Sequence, residues 1–457
     1  MQIPSSHPPL LSRRQFLAGA ATVAFSGLPH ELFASPSFVN IKDTFKIVRE
    51  PGRPQRGVII FWLQGGPSHT DMFDLKTECD KEYKSPFKPI GTTDIKLPEL
   101  MPRTAEIIND LLLVRNMETD QDAHGHAVSQ SLTGNPLLKE DKQDERFNKP
   151  ARNSAITDLV RQKYGETNFY TLDANPERRP FGAMQKNEGF YVECDLRKAP
   201  DYIDSELQGD AILEQLMKFY TGDFGYQCPT PVIIKEEEER LKDRLKLRSI
   251  VDQQFKVKND VLDKHEAKYN QGLAIIDLKA VRKAFNLGSV PPNLRDLAGR
   301  NPLGNATIIA CNLIQAGIPL VVISHGYWDT HGNKRTTNED YLKVLLPQFD
   351  NAFSYAHKVL GDTNIFAGGE FGRTPKINQY GGRDHHKRVY TVAFTGPDVK
   401  PGVIGATDKK GEDVTSGDKF NAIKLGPTLV RLTGHRMINN RTGETLETLP
   451  IFKNERK

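Results

Sequence analysis

The chain has 457 residues, of which 37% are hydrophobic and 26% are charged. This balance is typical of a globular protein rather than a disordered one, and the length suits one large domain or two moderate ones. The formal net charge of +4 lacks the excess of basic charge that is typical of nucleic-acid-binding proteins, and we expect no nucleic-acid partner.

The first residues of the chain predict export. Residues 12–17 (Ser-Arg-Arg-Gln-Phe-Leu) fit the twin-arginine pattern, and an apolar run continues to Leu28. The run is shorter than the roughly 20 apolar residues that span a bilayer, and small residues around Ala34 offer a cleavage site. A chance arginine pair before a core helix is the alternative, but it does not explain the order of these features. We therefore predict a signal peptide over residues 1–35, contact with the twin-arginine translocon during export, and a periplasmic or extracellular mature protein without a membrane span.

Apolar runs that end in polar or glycine-rich loops predict the strands of a parallel sheet. The predicted strands are residues 57–63, 111–114, 318–324, 363–367 and 389–394. The predicted helices are residues 306–316 and 341–360, with a further helix that starts near residue 127. The alternation of strands and helices predicts a doubly wound α/β fold, with a mostly parallel sheet and helices on both faces.

The middle of the chain predicts an insertion into this fold. Residues 135–235 are rich in proline, glycine and charge, which indicates irregular structure around short strands and helices. Residues 236–287 carry apolar side chains at helical spacing and predict long amphipathic helices. We therefore expect one domain over residues 36–457, with an irregular and helical insertion over residues 135–300.

The four cysteines of the sequence do not form a CxxC pair. The spacing therefore does not indicate a zinc ribbon or a redox motif. Cys311 lies in an apolar run, which favours a buried thiol. Cys194 and Cys228 are candidates for a disulfide, but their spacing alone does not decide whether it forms.

Clusters of polar residues follow the predicted strands at their carboxyl ends. The clusters are residues 68–71, residues 124–126, residues 329–331, and Glu370 with His385. Ligands bind at this edge of an open α/β sheet, so we expect the clusters to converge. Carboxylates and imidazoles together suit one or two divalent metal ions, with zinc, manganese or iron favoured over calcium. Two such ions would clamp the attacking and leaving oxygens of a phosphoryl or sulfuryl transfer.

Each cluster also has a structural alternative. Asp329 could cap a helix, as short acidic side chains often do. Glu370 could form an ion pair with Arg373, and His385 could lie at the surface of a glycine-rich loop. These alternatives explain the clusters one at a time, but they do not explain why all of them follow strands.

Four motifs resemble the signatures of the "domain of unknown function 1501" family (DUF1501). They are GGPSHTDMFD at residues 65–74, WDTHGN at residues 328–333, GEFGRTP at residues 369–375 and GRDH at residues 382–385. The order and spacing are similar to those of the family over most of the chain. Members of the family are bacterial, commonly carry a twin-arginine signal, and are placed near the alkaline phosphatase superfamily, which includes sulfatases. The activity of the family is not established.

The resemblance implies one set of metal ligands. Asp329 and His331 resemble the Asp-x-His ligand pair of the superfamily. Glu370 resembles the acidic ligand that follows a later strand, and His385 resembles a late histidine ligand. These residues are therefore expected to hold one divalent metal ion.

Two departures from the superfamily pattern affect the expected chemistry. The first strand ends in two glycines where the superfamily has an acidic ligand, so we expect His69 or Asp71 to take over that role. A helix that runs to Leu-Thr-Gly at residues 132–134 has His124 at the position where sulfatases carry their nucleophile. His124 is therefore a candidate metal ligand or a candidate general base for an activated water molecule, and it is also consistent with a loss of activity.

These features predict an exported, metal-dependent hydrolase of a phosphate or sulfate ester, either a small molecule or a polysaccharide. His69 and Asp71 would hold a second metal ion with the help of His124, and Arg373 would clamp the substrate anion through two hydrogen bonds. The alternative is a secreted, non-catalytic binding or accessory protein on the same scaffold, because the usual nucleophile is missing.

Overall fold

The structure of the chain is a computed structural model. It describes residues 45–134, 169–174, 190–193, 214, 217–219, 221–228, 279–333, 336–440 and 442–453. The predicted signal peptide, most of the predicted insertion, nearly all of the predicted amphipathic helices and Cys194 lie outside these residues. No helix among the described residues is long and apolar enough to cross a membrane.

The strands and helices of the described residues are numbered in chain order. The strands are β1 (Phe45–Arg49), β2 (Val58–Leu63), β3 (Pro89–Gly91), β4 (Lys96–Pro98), β5 (Leu111–Glu118), β6 (Phe169–Ala174), β7 (Phe190–Glu193), β8 (Leu320–His325), β9 (Asn364–Gly368), β10 (Gly372–Arg373), β11 (His385–His386), β12 (Tyr390–Thr395), β13 (Gly402–Ile404), β14 (Ala406–Thr407), β15 (Val414–Ser416), β16 (Phe420–Asn421) and β17 (His435–Asn439). The helices are α1 (Pro102–Glu106), α2 (His124–Thr133), α3 (Lys279–Ala284), α4 (Pro292–Ala298), α5 (Pro302–Gln315), α6 (Asn338–Val359) and α7 (Leu425–Leu432). The strands predicted from apolar runs are confirmed as β2, β5, β8, β9 and β12, and the predicted helices are confirmed as α2, α5 and α6.

Nine of the described strands form one mixed sheet, in the order β13-β5-β12-β9-β2-β8-β6-β7, with β16 also paired to β5. β2 lies between β8 and β9 and is parallel to both. The pairs β6–β7, β6–β8, β5–β13 and β5–β16 are parallel as well. Only β12 runs antiparallel to its two neighbours in this sheet, β5 and β9. The predicted mostly parallel sheet is therefore confirmed.

Helices cover both faces of this sheet. Along β2, Ile59 and Phe61 face one hydrophobic core, to which α3, α4, α5 and α6 contribute. Ile60 and Trp62 face a second core, to which α2 and α7 contribute. A strand that is covered on both faces consists of consecutive apolar residues, and all six side chains of β2 are indeed buried. The predicted doubly wound arrangement is confirmed.

Two parts of the fold differ from the expectation. Short strands were predicted within the irregular insertion, but β6 and β7 belong to the central sheet and extend it beyond β8 in parallel register. They have only 6 and 4 residues, so their apolar residues are too few to predict strands of the central sheet within a polar region. Residues 45–49 were not predicted as a strand, but they form β1, which pairs with β17 near the other end of the chain. Such a distant partner gives no local signal in the sequence.

The register of the central strands brings the polar loops together. Leu63 at the end of β2 lies beside His325 at the end of β8, and Trp62 lies beside Gly368 at the end of β9. Because these strands are parallel, the chain leaves all of them at one edge of the sheet. The loops that follow β8 and β9 therefore begin next to the turn that follows β2.

Replacement of Phe61 tests the packing of the central strand. Its ring is fully buried and lies edge-on to Phe349 and Phe353, at centroid distances of 6.0 and 5.8 Å. We expect Phe61→Ala to lower the free energy of unfolding by about 3–5 kcal/mol, because the substitution leaves a cavity in the core. Urea denaturation followed by circular dichroism measures this change. The control Leu297→Ala, at a side chain that is 45% exposed, should stay within about 0.5 kcal/mol of the wild type. A loss below about 1 kcal/mol for Phe61→Ala would contradict this packing.

Candidate metal centre

The turn after β2 approaches the loop after β8 closely because it consists of glycines. Gly65 has a φ of +107°, and a Cβ there would lie 2.4 Å from the amide nitrogen of Asp329. Gly66 has a φ of +81°, and a Cβ there would lie 2.5 Å from the carbonyl oxygen of Phe371. Residues with a Cβ rarely adopt this backbone conformation and have no space here. The two glycines therefore allow the loops after β8 and β9 to pack against the end of β2.

Three imidazoles surround the carboxylate of Asp329. Nε2 of His331 lies 3.0 Å from Asp329 Oδ1, and Nε2 of His385 lies 3.2 Å from the same oxygen. Nε2 of His124 lies 3.2 Å from Asp329 Oδ2. His124 is the first residue of α2, His331 follows β8, and His385 begins β11. The structure thus brings together residues from three of the predicted polar clusters.

The other ring nitrogen, Nδ1, of each imidazole faces an oxygen that accepts a hydrogen bond. The distances are 2.7 Å from His124 to Glu370 Oε1, 2.7 Å from His331 to Asp384 Oδ1, and 2.6 Å from His385 to the backbone carbonyl oxygen of Asp122. Carboxylate and carbonyl oxygens accept but do not donate, and the contacts at Nδ1 are shorter than those between Nε2 and Asp329, so we assign the proton of each neutral ring to Nδ1. When such a ring is neutral, its Nε2 has a lone pair, and all three of these lone pairs face Asp329.

This arrangement fits a divalent metal ion. Nε2 of His331 lies 3.0 Å from Nε2 of His385, so two lone pairs and a carboxylate oxygen face each other without a donor when the rings are neutral. Ligand atoms of a tetrahedral zinc site lie about 3.3 Å apart, because the metal–ligand bonds are about 2.0–2.1 Å long. Imidazoles with one carboxylate suit zinc, manganese or iron, whereas calcium prefers oxygen ligands. Among the described residues, the ligand atoms of His124, Asp329 and His385 all lie within 4.8 Å of one another.

Protons stabilise the cluster when it holds no metal ion. Burial alone would lower the pKa of His124, but hydrogen bonds to Asp329 and Glu370 outweigh burial and raise it to about 9. The hydrogen bond to Asp329 also raises the pKa of His331. Burial opposes ionisation of Asp329, yet the hydrogen bonds from the imidazoles hold its pKa far below the ordinary value. The cluster therefore favours a cation, either a proton or a metal ion, beside Asp329.

A buried arginine fixes the position of Asp329. The fully buried side chain of Arg373 forms an ion pair with Asp329. It also donates to the carbonyl oxygens of Gly65 and Gly66, the latter at 3.0 Å. Clamping of a substrate anion by Arg373 stays a prediction, because the contacts of its guanidinium are directed to the protein. The ion pair with Glu370, which was the structural alternative, is replaced by the ion pair with Asp329.

The resemblance implied that Glu370 holds the same metal ion as Asp329. In the structure, Glu370 contacts the side of the His124 ring that faces away from Asp329. Its side chain is fully buried, and Oε1 accepts hydrogen bonds from Nδ1 of His124 and, at 2.9 Å, from the amide of Gly65. Oε2 has no hydrogen-bond partner within the described residues. Glu370 thus contacts the nitrogen of His124 that faces away from Asp329, and it fixes the orientation of that ring.

The structure does not bring His69 and Asp71 to this cluster. Both oxygens of Asp71 accept hydrogen bonds from Arg383, at 2.7 and 3.2 Å, and neither side chain is exposed. The ring of His69 stacks on His386 with a centroid distance of 5.9 Å, and its Nε2 lies 2.8 Å from the carbonyl oxygen of Gly411. Burial lowers the pKa of both rings, that of His386 to about 3. These contacts hold loops together, and the second metal ion at His69 and Asp71 stays a prediction.

Two residues that contact the imidazoles were not predicted from the sequence. Asp384 lies in the GRDH motif directly before His385, yet its carboxylate contacts the ring of His331. Asp122 contacts His385 through its backbone carbonyl oxygen. The position of Asp384 within a motif was a usable signal, but a contact through the backbone cannot be inferred from the type of residue.

Residues 55–437 match the family described as "Protein of unknown function (DUF1501)". The chain belongs to the DUF1501 family. The matched region includes all three imidazoles and Asp329, so the cluster lies within the family domain. No curated protein matches the sequence of this DUF1501 member.

Several solved structures are similar to this DUF1501 protein at low sequence identity. One is a protein in the alkaline phosphatase superfamily from Vibrio parahaemolyticus, with 12% identity, a TM-score of 0.39, and coverage of 85% of this chain and 69% of that chain. Another is the C-terminal periplasmic domain of EcEptC from Escherichia coli in complex with Zn, with 8% identity, a TM-score of 0.38, and coverage of 86% of both chains. A third is the phosphonate monoester hydrolase SpPMH from Silicibacter pomeroyi, with 13% identity, a TM-score of 0.35, and coverage of 87% and 78%.

The metal-free DUF1501 protein should lose stability as the pH rises. The pKa of His124 is about 9 in the folded protein and 6.5 in its ordinary state. The stabilisation by its positive charge is therefore complete below pH 6.5 and is lost as the pH rises through about 9. We expect the free energy of unfolding, from urea denaturation of the metal-free protein at a series of pH values, to fall across this window. The fall should be smaller in Asp329→Asn, and an equal fall in the variant and the wild type would contradict the assignment.

Replacement of Asp71 should affect stability without affecting the metal centre. Loss of one partner of a buried ion pair leaves the other charge unpaired, so we expect Asp71→Ala to lower the free energy of unfolding by about 3–5 kcal/mol. Urea denaturation measures this loss, and mass spectrometry of the folded variant measures its metal content. The double variant Asp71→Leu/Arg383→Met should recover part of the stability, because it removes both charges. Metal loss in folded Asp71→Ala, with little change in stability, would restore Asp71 as a candidate ligand.

Proposed function

We propose that this DUF1501 protein is an exported, metal-dependent hydrolase of an anionic ester, either a phosphate or a sulfate ester. The observation that carries the proposal is the convergence of three imidazole Nε2 atoms on the carboxylate of Asp329, at distances of 3.0–3.2 Å. A bound divalent metal ion would supply Lewis acidity and would lower the pKa of a water molecule enough for attack at neutral pH.

The side chains around the centre would share its tasks. Asp329 and the three imidazoles would hold the metal ion, so His124 takes the place that the resemblance gave to Glu370. Glu370 would keep the Nε2 lone pair of His124 directed at the centre, since its Oε1 lies 2.7 Å from Nδ1. Arg373, which is fully buried, would keep Asp329 in place through their ion pair. Orienting partners of this kind are usual behind metal-bound histidines.

The start of α2 supports an anionic substrate. This helix has ten residues and begins at His124. The dipole of a helix favours an anion at its N-terminus. A phosphate or sulfate group beside the centre would therefore be attracted by the metal ion and by the first turn of α2. The side chains of Asp329 and His331 are 36% and 43% exposed, so a substrate can reach them.

Export through the twin-arginine pathway is part of the proposal. It rests on the Ser-Arg-Arg-Gln-Phe-Leu pattern at residues 12–17 and the apolar run that follows. A fusion of residues 1–35 to a reporter that is active only after export would test it. Export should stop when both arginines are replaced by lysine, and unchanged export would contradict the twin-arginine route.

The first test of the proposed function is the metal content of the folded protein. Mass spectrometry should find one transition-metal ion per chain in the wild type and almost none in Asp329→Ala/His331→Ala, because this variant lacks two of the four proposed ligands. His385→Gln should lose metal, whereas its neighbour His386→Gln should keep it, because His386 stacks on His69 away from the centre. Circular dichroism would show that each variant is folded.

The loaded protein would then be assayed with aryl phosphate and aryl sulfate esters. We expect hydrolysis of at least one class, with a loss of about 1,000-fold or more in the variant without metal. A folded wild type that binds no zinc, manganese or iron would contradict the proposal. Metal binding without hydrolysis of either ester class would favour the non-catalytic binding protein.

A further inference from the structure

His331 is the most exposed of the three imidazoles around Asp329. Its side chain is 43% exposed, compared with 22% for His385 and 14% for His124. The rings of His124 and His385 also pack against Phe371, at centroid distances of 4.9 and 4.5 Å. An exposed side chain loses more conformational freedom when it is fixed in one orientation. The orientation of His331 therefore depends more strongly on its hydrogen bonds.

Asp384 contacts the ring nitrogen of His331 that faces away from Asp329. Nδ1 of His331 lies 2.7 Å from Asp384 Oδ1. The backbone of Asp384 is fixed in turn by Thr374, whose amide donates to the Asp384 carbonyl oxygen at 2.7 Å and whose hydroxyl accepts from the Asp384 amide at 2.9 Å. The carboxylate of Asp384 therefore extends from a fixed backbone, although the side chain is 51% exposed.

Asn378 ties Asp384 and His331 to one another. Its Nδ2 donates to Asp384 Oδ1 at 3.1 Å and to the backbone carbonyl oxygen of His331 at 3.0 Å. Its Oδ1 accepts from the amides of Tyr380 and Gly382, at 2.9 and 3.0 Å. One amide side chain thus contacts the Asp384 carboxylate, the backbone of His331 and the turn that precedes Asp384.

We infer that Asn378 and Asp384 are positioning residues of the metal centre, which hold the Nε2 lone pair of His331 toward Asp329. The inference rests on the proposed metal centre, but it concerns residues outside the ligand set. Asp384 would fix the proton on Nδ1 and make the imidazole a better ligand, as carboxylates behind metal-bound histidines do. Asn378 would hold the Asp384 carboxylate and the His331 backbone at the distance that the hydrogen bond between Asp384 and His331 needs.

Asp384→Asn and Asn378→Ala test the inference, with Asp122→Asn as the matched control. Asp122 lies at the same centre, but it contacts His385 through its backbone carbonyl oxygen, and its carboxylate is 73% exposed and lies 3.9 Å from Lys387. We expect zinc affinity, measured by competition with a chelator, to fall roughly 10–100-fold in Asp384→Asn and by a smaller factor in Asn378→Ala. Asp122→Asn should stay within about twofold of the wild type, since the backbone contact is kept.

A second measurement separates positioning from a general structural role. In the metal-free protein, at a pH where His331 is neutral, nitrogen NMR reports which ring nitrogen carries the proton. We expect Nδ1–H in the wild type and in Asp122→Asn, and a mixture of both tautomers in Asp384→Asn. Circular dichroism and the free energy of unfolding show whether each variant keeps its fold.

The outcomes for the two proposals can be told apart. Wild-type zinc affinity and an unchanged His331 tautomer in Asp384→Asn would overturn the inference and leave the proposed function intact. A wild type that binds no metal would overturn the proposed function. In that case the NMR measurement decides alone: a tautomer that depends on Asp384 supports positioning of His331, and a tautomer that does not depend on it overturns the inference.

Discussion

The carboxylate of Asp329 is the interaction on which the rest of the site depends. Its two oxygens lie 3.0–3.2 Å from three imidazole nitrogens and form an ion pair with buried Arg373. Such a partly buried negative charge is stabilised by cationic partners, since burial without partners would favour the neutral acid. The loop after β8, the start of α2 and the strands β10 and β11 all supply groups that meet this need. The loops at the edge of the sheet are thus organised around one charge.

The backbone turn after β2 leaves space for the charged groups to pack closely around Asp329. Gly65 and Gly66 allow their carbonyl oxygens to accept hydrogen bonds from Arg373, while the Gly65 amide donates to Glu370. The same turn therefore contacts the arginine that holds Asp329 and the carboxylate that orients His124. A side chain at either glycine would separate these contacts, because a Cβ would lie within 2.5 Å of a neighbouring backbone atom. The glycines thus have a role at the candidate metal centre without being proposed ligands.

The sequence predicted the sheet and the place of the site better than the role of each residue. Apolar runs located β2, β8 and β9, and the rule that ligands bind at the carboxyl ends of parallel strands located the cluster. The roles could not be predicted because a ligand and a structural residue look alike in sequence. Asp71 follows β2 as a metal ligand would, but its partner Arg383 lies 312 positions later. The first residue of α2, His124, reaches Asp329 while Glu370 stays buried behind it, and this difference in position leaves no signal in the sequence.

The position of His124 also bears on the kind of hydrolysis that the proposed function would involve. The resemblance to sulfatases places a nucleophile at this helix start, but both ring nitrogens of His124 already have partners, Glu370 at Nδ1 and Asp329 at Nε2. A ring held in this way is suited to bind a metal ion through Nε2 rather than to attack a phosphorus or sulfur atom. The proposed reaction would then be a single displacement by water, with no covalent intermediate on residue 124. The exposed side of the cluster, formed by Asp329 and His331, is where water and the ester would have to meet. This geometry makes the orientation of His331, and with it the contacts of Asn378 and Asp384, as important to the site as the ligands themselves.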